Sequence, residues 1–297
     1  MPAAVTLSKE VISNPLKYRT GAEVVAAFRT RYALSTTSSQ LSLIRKTLEV
    51  NDGLGSLPMA KRRAWLDGLK LTPVDHDALK QAAAVKLRSA GMNLPEVNGD
   101  QIIRDARELL ASADPCEVLV GLAALTGRRT AELVVTGRFR PPEDPSHRTN
   151  ERFWASFSGQ LKVREGEPEP VYDIPLLVER SQVLAALAVV RAAFPGLAVA
   201  EVNGKVGKPV SRMMGELAAH IGTIHRFRRF YALACYRYFN QNGCSLPVLA
   251  TQYLGHKDVD QSILTYLNIR VANLGSLDFG GPDGSGGGDL RVIVDTT

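Results

Sequence analysis

The run His225-Arg226-Phe227-Arg228-Arg229-Phe230-Tyr231-Ala232, followed by Leu254-Gly255-His256 and then Leu264-Thr265-Tyr266, decides how this chain is read. Placed on a helix, Ile224, Phe227, Tyr231, Ala234 and Tyr238 share one apolar face. His225 and Arg228, three residues apart, then neighbour each other on an adjoining face. Ser245 stands where a helix would be capped and Gly255 where it would stop, so His256 is expected at a helix end. Histidine, arginine, histidine and tyrosine follow in order, each at the face or mouth of a helix.

Upstream, Asp114 is expected to cap a helix with Pro115 in its first turn and Glu117 completing a capping box. Leu119, Leu122 and Leu125 carry its buried stripe and Gly127 ends it, so the next residues, Arg128-Arg129-Thr130-Ala131-Glu132-Leu133, project from a fixed corner. Glu151 to Val163 reads as β structure and returns at Val171–Leu176 after a Gly/Pro loop. That makes a hairpin with Lys162 near its tip. Pro141–Pro145 and Asn203–Pro209 read as loops, with a helix between hairpin and second loop marked by Val183, Leu187, Val190 and Phe194. Ser211 is expected to cap a short helix leading to His225.

The first hundred residues read as short helices joined by polar turns. Thr20 is expected to cap a helix bearing Val25, Phe28 and Tyr32, and Asp75 one bearing Leu79, Ala83 and Leu87. The run Ser35–Ser39 precedes Leu41, Ile44 and Leu48 at helical spacing. Arg45, Lys46, Lys61, Arg62 and Arg63 lie off the apolar faces. Such residues usually serve solubility. A linker is expected around Met92–Gly99, and Gly280–Gly288 reads as a flexible tail before a short strand at Leu290–Val294.

Composition sets the outer bounds. The chain has 297 residues, enough for about two domains of ordinary size. A net charge of +6 and a pI near 9.3 favour a polyanionic partner. Cys116, Cys235 and Cys244 are odd in number and lie in apolar or helical surroundings, which argues for a reducing compartment. No apolar run of membrane-spanning length and no signal peptide is visible.

Together these motifs resemble the tyrosine recombinases. Thr126–Leu133 looks like their first signature, with Arg129 at the catalytic arginine. Lys162 matches the β-hairpin lysine, His225 and Arg228 the His-x-x-Arg box, His256 the Leu-Gly-His, and Tyr266 the nucleophile. Within that superfamily Gly127-Arg128-Arg129, Phe157–Lys162 and Arg228–Ala232 look most similar to telomere resolvases, which cut a palindromic duplex and reseal each end as a closed hairpin. Two features depart: telomere resolvases are often longer, and some carry a basic residue such as lysine at the position of His225.

The resemblance implies a mainly α (α+β) chain in three parts. These are a helical DNA-binding domain over 1–100, a tyrosine-recombinase-like catalytic domain with a small antiparallel sheet over 101–275, and the tail 276–297. It implies a homodimer on double-stranded DNA carrying an inverted repeat, in the cytoplasm and nucleoid-associated, in a prokaryotic or phage setting. Arg128, Arg226 and Arg229 would join the amino-terminal cations as DNA contacts. No cofactor, ATP or metal is expected, because a phosphotyrosine conserves bond energy and arginines can cancel the phosphate charge.

The chemistry is consistent with that. Arg129 and Arg228 offer planar forks for a phosphodiester, and His225 and His256 further hydrogen bonds. The phenol of Tyr266, whose ordinary pKa is about 10, gains nucleophilicity beside such charge. Lys162 can protonate the departing 5′ oxygen. Tyr231, Tyr236, Tyr238 and Tyr253 are better explained by packing, and Glu132 as a support behind Arg129. An integrase joining two duplexes and a DNA-binding protein without catalysis remain as alternative readings, while the Leu-Gly-His and Gly-Arg-Arg context favours a recombinase over a type IB topoisomerase, which would share this chemistry.

Overall fold

The computed structural model describes residues 3–92, 96–161, 166–213, 224–240, 243–255 and 269–275. It divides into two compact units, Met1–Ser89 and Ala90–Thr297.

The first unit is helical: α1 Ala3–Ser13, α2 Gly21–Arg29, α3 Leu34–Val50, α4 Met59–Asp67 and the start of α5, Pro73–Met92. Its core is Val11, Val24, Phe28, Leu41, Ile44, Leu48, Leu54, Trp65 and Leu69. As expected, Thr20 caps α2, accepting from the Glu23 amide. The Ser/Thr run expected ahead of α3 lies inside it, because Thr37, Ser39 and Ser42 turn their hydroxyls onto the carbonyls four residues back. The cap of α5 is also displaced. Thr72 accepts from the Asp75 amide while Asp75 accepts from the Thr72 amide and hydroxyl, so Asp75 is the reciprocal partner in the first turn.

In the second unit the chain runs β1 Glu96–Asn98, α6 Gly99–Leu109, α7 Pro115–Thr126, β2 Arg138–Arg140, β3 Trp154–Ser158 and β4 Tyr172–Pro175. It continues through α8 Arg180–Ala193, α9 Val199–Lys205, α10 Gly207–Met213, α11 Ile224–Phe239, α12 Leu246–Leu254 and β5 Arg270–Ala272. Its centre is α7, where Cys116 and every residue from Val118 to Thr126 are buried. A helix apolar all round must be enclosed by other elements, and α6, α8, α10 and α11 pack against it. The strands β2, β3 and β4 form an antiparallel sheet in that order, and β1 pairs in parallel with β5. The expected linker at 92–99 thus contains a strand of this unit.

Other expectations shift for local reasons. Asp144 caps a 3-10 segment over Pro145–Phe153, so β3 starts at Trp154 and not at Glu151. Gly159, with φ +86°, ends it before Lys162. The expected loop 203–209 is mostly helix, because Val202, Val206 and Val210 recur every four residues and bury one stripe. Pro209 falls in the first turn of α10, where no amide is needed. Ser211 lies inside α10 and bonds back to the Gly207 carbonyl. Asp114 does cap α7, but Glu117 accepts from the Ser112 hydroxyl instead of closing a capping box. The tail 276–297 and its expected strand lie outside the described residues.

No described helix is long and apolar enough to cross a membrane. The corner at the end of α7 is one of several close approaches in the fold. Gly127 is left-handed (φ +64°), and a Cβ there would enter the ring of buried Tyr231, whose hydroxyl donates to the Pro175 carbonyl at 2.5 Å. Gly127→Ala should therefore lower unfolding stability by about 2 kcal/mol or more, backbone strain adding to a displaced aromatic. Chemical denaturation measures this, and an unchanged midpoint would show that the corner relaxes freely.

Candidate active site

The site is assembled around Glu132, which opens a single π turn, Glu132–Thr136, just past the Gly127 corner. Its side chain is fully buried. One oxygen accepts from the Arg129 guanidinium at 2.6 Å and from the Leu161 amide at 3.2 Å, and the other from the Arg129 amide at 2.9 Å. Arg228 Nη1 stands 3.8 Å from the carboxylate. Burial pushes the Glu132 carboxyl up, but the charges of Arg128, Arg228 and Arg129, with the Arg129 amide, outweigh it and hold the group below the ordinary 4.5. Glu132 therefore remains a carboxylate among three cations.

The two arginines singled out in the sequence differ in exposure. The Arg129 side chain keeps 21% of its surface and can meet a ligand. Arg228 keeps 2%, and its two terminal nitrogens donate to the Gly127 and Leu254 carbonyls, both at 2.7 Å. It closes the C-terminal ends of α7 and α12 onto each other, satisfying carbonyls that helix ends leave open. His225 lies on α11 by its backbone, and its side chain is outside the described residues. Lys162, His256 and Tyr266 also lie outside them. Their neighbours in sequence are held: Leu161 by Glu132, Leu254 by Arg228, and Gly255 by Gln160, whose Nε2 donates to its carbonyl at 2.6 Å.

One expected DNA contact is corrected. Arg128 is 2% exposed, with its guanidinium 4.5 Å from the centre of the Phe157 ring. It donates to the Thr126 carbonyl, the Tyr172 hydroxyl and the Tyr253 carbonyl. A side chain whose nitrogens are spent inside the core cannot reach phosphate. Among the rest, Arg226 is exposed and Arg229 half-buried on α11. In the first unit Lys46, Lys61 and Arg63 are exposed, while Arg62 forms an ion pair with Asp52. Arg45 and Arg63 line a cleft of about 480 Å³ with Glu49, Leu66, Asp67 and Lys70.

Three of the four rival tyrosines are poor nucleophiles, whereas Tyr236 is exposed on α11 and packing does not account for it. Burial raises the phenols of Tyr231, Tyr238 and Tyr253 well above the ordinary range. Thr136, Gln160 and Tyr172 belong to the site and carry no sequence signal beyond the nearness of Gln160 to Lys162, since their partners lie far away in the chain. Among the described residues no group of three or more His, Cys, Asp or Glu is arranged to hold a metal ion.

A family model of the telomere resolvase ResT/TelK catalytic domain matches residues 93–268. No curated protein matches the chain. Among solved structures, protelomerase TelA covalently complexed with substrate DNA superposes with a TM-score of 0.69 at 20% identity, over 84% of this chain and 82% of that one. An arginine-to-alanine variant of TelA complexed with a DNA hairpin product gives 0.69 at 19%, over 84% and 82%. Protelomerase TelK complexed with substrate DNA gives 0.60 at 16%, over 93% of this chain and 61% of that one. At these identities the likeness is one of fold, mainly helical with a small antiparallel sheet.

The Glu132 cluster sets a pH dependence. A carboxyl held below 4.5 in the folded state contributes stability that is complete above that value and is lost as pH falls through the folded value. Glu132→Gln should cost about 3 kcal/mol near neutrality, since it leaves buried guanidiniums uncompensated. The gap to the unsubstituted protein should narrow as pH falls below about 4.5, where the unfolded chain takes up its proton first, and should close once pH passes the lower value of the folded carboxyl. Urea unfolding across that range measures it; two parallel curves would refute the charge account.

Proposed function

The chain belongs to the telomere resolvase ResT/TelK catalytic-domain family, and on that premise we propose that it breaks a palindromic DNA duplex through Tyr266 and reseals each end as a covalently closed hairpin. The observation that carries the assignment of residues is the Glu132 carboxylate. It brings Arg129 and Arg228 to one point and anchors the residue before Lys162, within the same span that the family model covers.

In this reading the Tyr266 phenolate attacks phosphorus and the P–O5′ bond breaks. The electron pair passes to O5′, which takes a proton from Lys162. Arg129, the more exposed arginine, binds the non-bridging oxygens, whose charge grows in the transition state. Arg228 supplies a second, fixed positive charge from behind, and His225 and His256 add hydrogen bonds. The 3′-phosphotyrosine retains the bond energy, so no ATP is consumed, and arginines do the work a divalent ion does elsewhere. For hairpins, each freed 5′ hydroxyl attacks the phosphotyrosine of the complementary strand and returns the proton as the P–O(Tyr) bond breaks.

A palindrome is two-fold symmetric, so two copies of the chain would sit on it. Three free cysteines, two of them buried, fit a reducing cytoplasm where nucleoid or phage DNA is the target. Residues up to about 100 would grip the duplex by their exposed cations.

The test is a linear duplex bearing the palindromic site, incubated with protein in excess chelator without ATP and resolved on denaturing gels. Strands that snap back after heating are expected, and Tyr266→Phe should bind DNA while forming no covalent species. Junctions between two duplexes would favour a recombinase, cleavage that needs magnesium would point to metal-assisted transfer, and undiminished cleavage by Tyr266→Phe would remove the nucleophile.

The amino-terminal grip has a separate readout. Binding should weaken steeply with salt, by a log–log slope of about −0.9 for each phosphate neutralised. Neutralising Lys46, Lys61 and Arg63 together, and sparing Arg62 with its Asp52 partner, should flatten that slope by up to about three such contributions. Cleavage at saturating protein should stay near its original rate. An unaltered slope would make these residues a solvated face.

A further inference from the structure

We propose that Gln160 is a positioning residue for strand transfer: it registers the chain entering Lys162 against the chain entering His256, and so sets where the lysine meets the departing 5′ oxygen. The proposal rests on the reading of Lys162 as the proton donor.

Three consecutive residues after β3 are tied down, Gly159 and Leu161 to the two ends of the π turn Glu132–Thr136 and Gln160 to β4 and the end of α12. The Gly159 carbonyl accepts from the Thr136 hydroxyl at 2.5 Å. The Gln160 amide nitrogen donates to the Gly255 carbonyl at 2.6 Å, and its oxygen accepts from the Tyr172 hydroxyl at 2.5 Å. The Leu161 amide donates to Glu132 at 3.2 Å. Lys162 is the next residue, and His256 follows Gly255. A long side chain that donates at one end of its amide and accepts at the other has little rotational freedom left.

The brace is itself supported. The Tyr172 hydroxyl that donates to Gln160 accepts from Arg128 at 2.9 Å, and Arg128 also holds the Tyr253 carbonyl, two residues before Gly255. Gly255 is left-handed (φ +66°), and a Cβ there would run into Gln160 and Tyr172, so the close approach depends on glycine. A buried arginine, a tyrosine and a glutamine thus form one chain of hydrogen bonds whose outer end is the entry to His256. Glu132 holds Leu161 by its backbone amide alone. Gln160 is the side chain among the three that bridges to the helix α12 terminus.

Proton donation demands placement of the acid within hydrogen-bond reach of the leaving oxygen, and a misplacement of about 1 Å can cost on the order of 100-fold in rate. Loss of the brace should therefore slow the step that needs Lys162 and spare DNA binding. Replacing the bridging 5′ oxygen with sulfur separates these effects. The P–S bond breaks with its electron pair leaving as a thiolate, which is stable at neutral pH with little need of a proton.

The experiment measures single-turnover cleavage of the oxygen and sulfur duplexes by the full chain, by Lys162→Ala, by Gln160→Met and by Gln160→Glu, with DNA affinity and the unfolding midpoint of each. Gln160→Met keeps the length and loses both bonds. Gln160→Glu keeps the acceptor for Tyr172 but sets a carboxylate against the Gly255 carbonyl. Both should be slowed on the oxygen duplex by roughly 10- to 100-fold and come within about threefold of the unsubstituted chain on the sulfur duplex, as should Lys162→Ala, with affinity and midpoint retained. If Lys162→Ala is rescued by sulfur while the Gln160 variants are slowed equally on both duplexes, or on neither, the positioning role is overturned and the lysine reading stands. If sulfur fails to rescue Lys162→Ala, the reading of Lys162 falls, and the proposal with it.

Discussion

A carboxylate sealed from water is tolerable only beside compensating charge, and Glu132 has three arginines around it. That constraint organises the second unit. Arg129 comes from the corner after α7, Arg228 from α11, and the Leu161 amide from the chain leaving β3. Each alone would be a polar group at the end of an element. Converged on one buried acid they become a positive cluster that cannot disperse, because dispersal would leave either the acid or the guanidiniums unpaired in a low-dielectric interior. A cluster of cations held in place by an internal anion is also a preorganised one, and electrostatic stabilisation of a phosphoryl transition state depends on that.

Two neighbouring arginines are put to opposite uses by one glycine. The left-handed turn at Gly127 ends α7 and lets the chain reverse against Tyr231. Arg128 then folds back over Phe157 and spends its donors on Thr126, Tyr172 and Tyr253, while Arg129 faces Glu132 and retains exposed surface. The inward arginine stiffens the ground on which the outward one stands. The same logic extends to Arg228, which is framework by its contacts with Gly127 and Leu254 and charge by its nearness to Glu132.

The residues that precede Lys162 and His256 in sequence are likewise held in place. Residues 159–161 and 254–255 are each held by side chains distant in sequence, so the second unit is anchored at two points by bonds that span long stretches of chain. The first unit shows no comparable buried charge cluster among its described residues. Its cations sit on helix faces around an apolar core of Phe28, Ile44, Leu48, Leu54 and Trp65.

Much was legible in the sequence because it was local. The Asp114-Pro115 start and Gly127 stop of α7, the Gly255 stop of α12, the apolar face of α11 and the β3–β4 hairpin all follow from capping, φ preference and periodicity within a few residues. So did the order of reactive residue types, which carried the family. Punctuation misled where burial overrode it. Gly204, Gly207 and Pro209 read as loop, yet the four-residue spacing of Val202, Val206 and Val210 makes helix there, since burying a stripe outweighs the cost of a glycine. What no spacing could reveal was the direction of Arg128, the meeting of Glu132 with Leu161 and Arg228, and the partners of Gln160 and Tyr172. Those bonds join residues up to 125 positions apart, and only the packed chain brings them within hydrogen-bond distance.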